Sequence, residues 1–264
     1  MDPKLLRAIA DAHDWHEALG NRTVDGRFCR FVQDPDHPEV WSSNHVSGVT
    51  ASSPGDIDEF LTEMDERFAY SPFRVVTVDA FTPPSCVARL AFEDYREQTL
   101  VILMALEGDI VRMESPKIAH RPVESEADWR DLHDLLVIDH REGARTGRTP
   151  LAEDVTEGLF ESLRRKAGAC QVFLAEIEGR PCAYAAAVQA PHGLGLVEDV
   201  FTLPSQRRRG IASAMIGHCV RYVRERGAGV VFLGAHASEP PKRLYARLGF
   251  APAMVARRFV KTIG

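Results

Sequence analysis

The sequence predicts an α/β protein built of two modules. Three observations carry this: a charge balance that changes sign in mid-chain, hydrophobic periodicities that alternate between strand and helix beyond that point, and a short segment that recurs 158 residues apart. The chain has 264 residues, 45% apolar and 27% charged, a composition that excludes global disorder. At roughly 100–200 residues per domain, this length suits one large domain or two small ones. Residues 1–115 hold 10 Lys or Arg against 21 Asp or Glu, whereas residues 116–264 hold 22 against 17. The first part is therefore net −11 and the second net +5. Pro116 and Pro122 bracket the change and Glu107-Gly108-Asp109 reads as a turn, which places the boundary between 115 and 116. A basic half in an acidic protein suggests an anionic ligand on that half, although solvated faces are also charged.

After the boundary, 118–123 reads as a strand and 125–140 as a helix with Trp129, Leu132, Leu135 and Leu136 on one face. Leu159, Phe160 and Leu163 form the stripe of a second helix, with Arg164, Arg165 and Lys166 suiting its C-terminal dipole. Residues 171–178 and 182–189 are β-like runs about Glu178-Gly179-Arg180-Pro181, the spacing of an antiparallel hairpin. A strand over 194–203, a helix over 211–226, a strand over 229–236, a helix over 240–248 and a last strand over 254–261 complete the order.

In the first half, Ser53-Pro54-Gly55-Asp56 opens a helix to about 68, and 74–80 is β-rich. Pro83-Pro84 precedes Ala88-Arg89-Leu90-Ala91-Phe92 much as Pro240-Pro241 precedes Ala246-Arg247-Leu248-Gly249-Phe250. Each copy lies between β-like runs, with its helix one residue shorter in the first copy. This spacing suggests that the halves share an ancestor, against coincidence in Ala-Arg-Leu-rich sequence.

Lys4, Arg7, Asp11, Asp14 and Glu17 interrupt the first 19 residues, so no signal-peptide core is expected there. The longest apolar run, 100–106, is far too short to span a bilayer. Five scattered cysteines without a C-x-x-C pair fit a reducing cytoplasm. No clustered ligand set argues for a metal. Cys219 beside His218 cannot readily act as nucleophile and base, because adjacent helix residues point about 100° apart. Packing is expected for both. Trp15, His16, Trp41 and His45 could equally line a cleft or fill a core.

The sharpest local signal is Leu203-Pro204-Ser205-Gln206-Arg207-Arg208-Arg209-Gly210-Ile211-Ala212-Ser213, between a strand and an amphipathic helix. Gly210 permits a tight turn and close backbone approach, and the following helix aims unpaired N–H groups at an anion. Arg207, Arg208 and Arg209 add positive charge. The bland alternative is a basic, solvated loop. A Walker loop is excluded because no Gly-Lys-Ser/Thr follows, and the dinucleotide fingerprint because G-x-G-x-x-G is missing.

These residues resemble the GNAT superfamily of N-acyltransferases, whose hallmark is Arg/Gln-x-x-Gly-x-Gly/Ala at a strand-to-helix turn. Arg207-x-x-Gly210-x-Ala212 fits it. Val197-Glu198-Asp199-Val200-Phe201 resembles the strand of polyamine acetyltransferases in that superfamily, and Leu244-Tyr245-Ala246-Arg247-Leu248-Gly249-Phe250 its closing Leu-Tyr-x-x-x-Gly-Phe segment. The match covers about 117–264. It implies two GNAT-like modules, each a mixed, mostly antiparallel sheet flanked by helices, with acetyl-coenzyme A as acyl donor and no metal. Phe201, Thr202 and Leu203 would then line the pantetheine arm through main-chain groups, and Arg208, Arg209, Gly210, Ile211, Ala212 and Ser213 would hold the pyrophosphate. The strand over 194–203 would splay from that over 229–236, with the thioester in the opening and its carbonyl polarised by a backbone N–H.

Acyl transfer to an amine needs a neutral nucleophile, a route for its proton and an acid for the departing thiolate. On an alternating strand, Glu198 shares a face with Leu196, Val200 and Thr202, and Asp199 shares the other with Val197 and Phe201. The resemblance picks Glu198 as the base, acting directly or through water; the alternative is a strand carboxylate bonded to a neighbouring cation. It also picks Tyr245 as the acid, where the alternative is an ordinary buried tyrosine. Ser238 stands where the family often has Asn, and either contacts the cofactor or caps the helix after Pro240.

If the repeat is real, the first copy lacks the chemistry. Val87 falls where Tyr245 would be, and no Arg-x-x-Gly-x-Gly/Ala occurs before Ser115. The arrangement looks like tandem GNAT proteins such as mycothiol synthase, in which a degenerate copy helps to shape the acceptor site. The expected reaction is direct attack by a primary amine, most simply of a small molecule, without nucleic acid or membrane partners; an oligomer is possible. Two other readings stay open: a non-catalytic acyl-coenzyme A sensor, and a protein or peptide acetyltransferase.

Overall fold

The computed structural model describes residues 1–146 and 151–263. In the first half, α1 (Pro3–Ala18) leads into three short strands, β1 (Arg22–Asp25), β2 (Arg30–Gln33) and β3 (His45–Ser47). Then come α2 (Pro54–Arg67), β4 (Phe73–Val78), α3 (Pro84–Phe92) and β5 (Arg96–Leu106). The remainder runs β6 (Ala119–Pro122), α4 (Glu126–Thr146), α5 (Glu153–Arg165), β7 (Cys170–Ile177), β8 (Arg180–Ala190) and β9 (Leu194–Thr202). It ends with α6 (Ile211–Arg224), β10 (Val230–His236), α7 (Pro241–Arg247) and β11 (Ala251–Thr262).

By contacts the chain forms two compact units. One comprises Met1–Leu103, Ala235–Glu239 and the chain from Ala253 onward; the other comprises Met104–Gly234 and Pro240–Pro252. In the first unit the strands lie in the order β1-β2-β3-β4-β11. Among the described residues of that row only β3 and β4 pair parallel, at Val46↔Val76. Its core joins one sheet face (Phe31, Val46, Val76, Phe259) to Phe60 and Met64 of α2 and Leu90 of α3. Each such side chain, fully buried, contributes about 1.5–3 kcal/mol.

In the second unit the order is β10-β9-β8-β7-β6, with β6 to β9 antiparallel and β9–β10 parallel. The Ala-rich β8, almost wholly buried, occupies the middle of this row. Gly195 of β9 lets α6 lie close: a Cβ there would stand 2.5 Å from Val223 Cγ2 and 3.2 Å from Ala228 Cβ, well inside contact distance. Position and direction of α6 are thereby tied to β9. On α4, Ser125 and Asp128 cap each other's amides at 3.2 and 2.7 Å, and Arg121 joins Asp128, Asp131 and Glu176.

The repeated segment lies in matching topology. In one half β3, α2 and the parallel β4 precede α3 and β5; in the other β9, α6 and the parallel β10 precede α7 and β11. The helix lengths reverse the expectation from spacing, since α3 has nine residues and α7 seven. Gly249, at φ +104°, stops α7 early, whereas Ala91 at the equivalent place lets α3 continue.

Candidate active site

β9 delivers the chain to the predicted turn and carries an irregularity on the way. Its parallel ladder with β10 runs from Val230↔Leu194 to Val197↔Leu233 and, among the described residues, ends there. On the other edge, Ala186 faces Glu198 and Tyr184 faces Phe201, so the single residue Ala185 opposes both Asp199 and Val200. This is a β-bulge, with Asp199 held at φ +54°. The extra residue overturns the expected alternation. Directly paired residues share a face, so Glu198 lies on the face of Ala186, Tyr184 and Phe201, and Thr202 lies with Ala183 on the other. Glu198 thus shares its face with Phe201 and not with Thr202. It is half-buried, and Asp199 is exposed.

Face and turn are tied to α4 by two polar contacts. The buried Tyr184 hydroxyl donates to Asp139 Oδ2 at 2.8 Å, and its ring lies 5.4 Å from that of Phe201. Arg207 donates through Nη1 and Nη2 to Glu142 at 2.9 and 2.5 Å, and through Nε to the Thr202 carbonyl at 2.9 Å. The first arginine of the motif is therefore a brace between α4 and the end of β9.

Beyond Thr202 and the half-buried Leu203, the chain makes one 3₁₀ turn over Pro204–Gln206. It then passes through two left-handed residues, Arg208 at φ +63° and Gly210 at φ +82°. A non-glycine residue in that region costs about 1–2 kcal/mol, and such turns gather successive N–H groups on a concave side. Arg208 and Arg209 are exposed, and Arg209 reaches Gln206. Gly210 is the N-cap of α6, and no side chain caps it. Ile211 and Ser213 are buried and Ala212 is half-buried.

The close approach at Gly210 is made by the chain's own segment: a Cβ there would stand 2.5 Å from the Glu114 carbonyl oxygen and 3.0 Å from Ser115 Cα. Ser213 Oγ lies 3.7 Å from Met113 Sδ. Residues 113–115 therefore border the turn, a feature with no signature in sequence beyond the glycine itself. The topologically equivalent helix of the first half has the opposite chemistry. At α2, Ser53 and Asp56 form a capping box at 3.2 and 3.4 Å, behind Pro54 and with acid in the first turn. The capping box satisfies the Ser53 and Asp56 amides, Pro54 has no N–H to offer, and the Asp56 carboxylate repels anions.

Tyr245 on α7 is 6% exposed, its ring 6.5 Å from Phe250. Ser238 is exposed within Ala235–Glu239 of the first unit, and the N-cap of α7 is Pro240, without a side-chain cap bond. Ser238 is thus not that cap. Cys219 and His218 belong to packing. Burial pushes the Cys219 thiol up to about 12, which removes thiolate at neutral pH, and the His218 ring stacks on His120 at 4.2 Å. Among the described residues no group of three or more His, Cys, Asp or Glu is placed to hold a metal ion.

A strand that parts from its parallel neighbour, a bulge, and an uncapped glycine-opened helix beyond it define an acyltransferase fold of the coenzyme A-dependent kind. Residues 129–250 match the acetyltransferase (GNAT) family; this part of the chain is a GNAT acetyltransferase domain, and the protein is an acyl-coenzyme A-dependent enzyme. No curated protein matches the chain in sequence. In structure it is similar to a GCN5-related N-acetyltransferase from Kribbella flavida, 18% identical, with a TM-score of 0.73 over 100% of this chain and 97% of the other. It is also similar to a GCN5-related N-acetyltransferase from Sphaerobacter thermophilus, 17% identical, TM-score 0.60, over 98% and 92%. A tandem GNAT protein from the clavulanic acid biosynthesis pathway is 12% identical, TM-score 0.59, over 80% and 71%. At these identities the likeness is one of fold.

Proposed function

We propose that the enzyme moves an acetyl group from acetyl-coenzyme A to a primary amine of a small-molecule acceptor, with 116–264 as the catalytic module and 1–115 as a degenerate GNAT-like module. The observation that carries this reading is the left-handed Gly210 opening α6 beyond the bulged β9, with no side chain on its N-terminal amides. The residues present fit the donor. The backbone of 208–213 offers N–H groups and a helix dipole to a pyrophosphate, and the arginines around it, with Arg207 committed to Glu142, leave Arg208 and Arg209 exposed beside it. Phe201, Thr202 and Leu203 would border the pantetheine arm.

Bound there, acetyl-coenzyme A would supply an activated acyl thioester. Glu198, half-buried where the β9–β10 ladder has ended, takes the proton of the incoming ammonium directly or through water, so that the amine attacks in neutral form. Tyr245 donates its hydroxyl proton to the sulfur as the thiolate leaves, and a backbone N–H of the opened strand polarises the acyl oxygen. Five cysteines, all free and buried, suit a reducing compartment, and we place the enzyme in the cytoplasm.

The test is thiol release from acetyl-coenzyme A across a panel of primary amines, followed by mass spectrometry of the products. Amine-dependent thiol release with an N-acetylated product is expected. Binding of the donor without turnover on any amine, including peptide N-termini and lysines, would overturn catalysis; turnover on peptides alone would overturn the small-molecule acceptor.

A further inference from the structure

The segment between β5 and β6 places an oxidisable side chain beside the first turn of α6. It is fastened along that helix at both ends. At one end Arg224, the last residue of α6, reaches Asp109 at 3.3 Å and the Gly108 carbonyl. At the other the Glu114 carbonyl oxygen lies against Gly210, 2.5 Å from where a Cβ would be. Between them the Val111 amide donates to the Leu248 carbonyl at 2.9 Å. Six residues span at most about 20 Å, and the 14 residues of α6 are about 21 Å long. The segment 109–114 is therefore drawn out with little slack, and Met113 is held in place.

Met113 is 39% exposed, and the Ser213 hydroxyl donates to its Sδ at 3.7 Å. A thioether is a weak acceptor. Ser213 is the third residue of α6, the position whose amide an N-cap side chain usually takes, and the N-cap here is Gly210, which has none. What this corner lacks is a strong acceptor, and oxidation of Met113 supplies one, because a sulfoxide carries a polar oxygen one bond beyond the sulfur.

The other sulfur atoms are shielded. Met64, Met104, Met215 and Met254 are 0–8% exposed, and only Met1, at 48%, matches Met113. All five cysteines are buried. Burial pushes the thiols of Cys29, Cys170 and Cys219 up to about 12 and that of Cys86 to about 11, which withholds the thiolate that oxidants attack.

We propose that Met113 is a reversible oxidation site, whose sulfoxide caps the first turn of α6 and excludes the diphosphate of the donor. A sulfur lone pair attacks one oxygen of a hydroperoxide, the O–O bond breaks, and the other oxygen leaves as water or an alcohol once protonated. The thioether is oxidised by two electrons and the peroxide reduced by two. The new oxygen accepts from the Ser213 hydroxyl and stands at the uncapped amides, where its negative end is favoured by the helix dipole. The exclusion of the donor rests on the proposed binding of acetyl-coenzyme A at this turn; the capping does not.

The experiment is oxidation of the full chain with dilute hydrogen peroxide, followed by removal of the peroxide, peptide mass mapping and calorimetric titration with coenzyme A. Met113 should gain one oxygen faster than Met64, Met104, Met215 and Met254. Affinity for coenzyme A should fall about tenfold or more, as expected where a cap occupies an anion site, and should return after treatment with methionine sulfoxide reductases. The amide resonances of Ile211, Ala212 and Ser213 should move on oxidation. In Met113→Leu, which keeps Met1, the same treatment should change neither affinity nor resonances. Oxidation of Met113 no faster than that of the buried methionines, amides that stay still, or an affinity that falls equally in Met113→Leu would each overturn the proposal. Absence of coenzyme A binding before oxidation would overturn the donor reading and the competition with it, whereas an unchanged affinity in an oxidised chain that binds coenzyme A would overturn this proposal alone.

Discussion

Arg207 and Glu142 form a two-pronged ion pair, with Nη1 and Nη2 at 2.9 and 2.5 Å from the two carboxylate oxygens. The Glu142 side chain is 10% exposed and that of Arg207 40%, so the pair is only partly screened by solvent. In Arg207→Ala the carboxylate keeps its burial and loses its partner. A destabilisation of about 1.5–3 kcal/mol is expected, the range for hydrogen bonds to charged groups, at its lower end because the guanidinium is half in water. Arg207→Lys should recover little of it, since an ammonium cannot present a fork. Denaturant melts of the three proteins check this; equal midpoints would reduce the pair to a surface contact.

The bulge at Asp199 predicts a pair of opposite substitutions. With φ at +54°, Asp199→Gly relieves a left-handed residue and should leave Tm unchanged or raised. Asp199→Val puts a β-branched side chain where it is least tolerated and should cost about 1–2 kcal/mol. A ranking with Val at least as stable as Gly would mean that the strand runs straight, returning Glu198 to the face of Thr202.

His218 and His120 give the fold a defined acid sensitivity. Burial, with the charges of His120 and Arg221, pushes the His218 imidazole down to about 4. Burial and Arg221 lower His120 as well, against a backbone hydrogen bond involving Ala214. Unfolded, each returns to about 6.5. Between these limits the unfolded chain binds more protons, so stability is complete above pH 6.5 and is lost as pH falls toward 4. The Tm of His218→Phe should fall less between pH 7 and pH 5 than that of the wild type. Parallel Tm curves would contradict the assignment.

Tyr245→Phe should lower kcat by about 10²–10⁴, the range for loss of a general acid, with little change in donor affinity. Glu198→Gln should produce a fall of similar size that grows smaller at high pH, where the amine is already neutral. An unchanged kcat in either variant removes that residue from the chemistry. A fall in Tm that accounts for the lost activity of Tyr245→Phe would make its hydroxyl structural.

Much of the second half was legible because its signals are local. The α6 turn is announced by Gly210 before an amphipathic run, and the β7–β8 hairpin by Glu178-Gly179, both left-handed. The bulge had no such marker. Asp199 enters the left-handed region without a glycine, and only the pairing of Ala185 against two residues reveals it. Strict alternation therefore misassigned the face of Thr202 and Phe201. In the first half, β1, β2 and β3 have three or four residues each, too few for a period to emerge. The buried stripe of α1, Ile9, Ala12, His13 and His16, is interleaved with the charges of Arg7, Asp11, Asp14 and Glu17, and two of its members are histidines. The nearness of Glu114 to Gly210 is a tertiary contact nearly a hundred residues apart, which no local pattern records.

The central claim is that the backbone amides opening α6 hold the diphosphate of the donor. Calorimetric titration of the full chain with coenzyme A and, separately, with pantetheine, which lacks that diphosphate, tests it most directly. The account predicts one coenzyme A site and pantetheine weaker by at least a hundredfold, with coenzyme A binding lost in Gly210→Ala, whose Cβ would strain the turn and strike the Glu114 carbonyl. Equal affinity for the two ligands, or no heat with coenzyme A because residues 114–115 close the turn themselves, would contradict it.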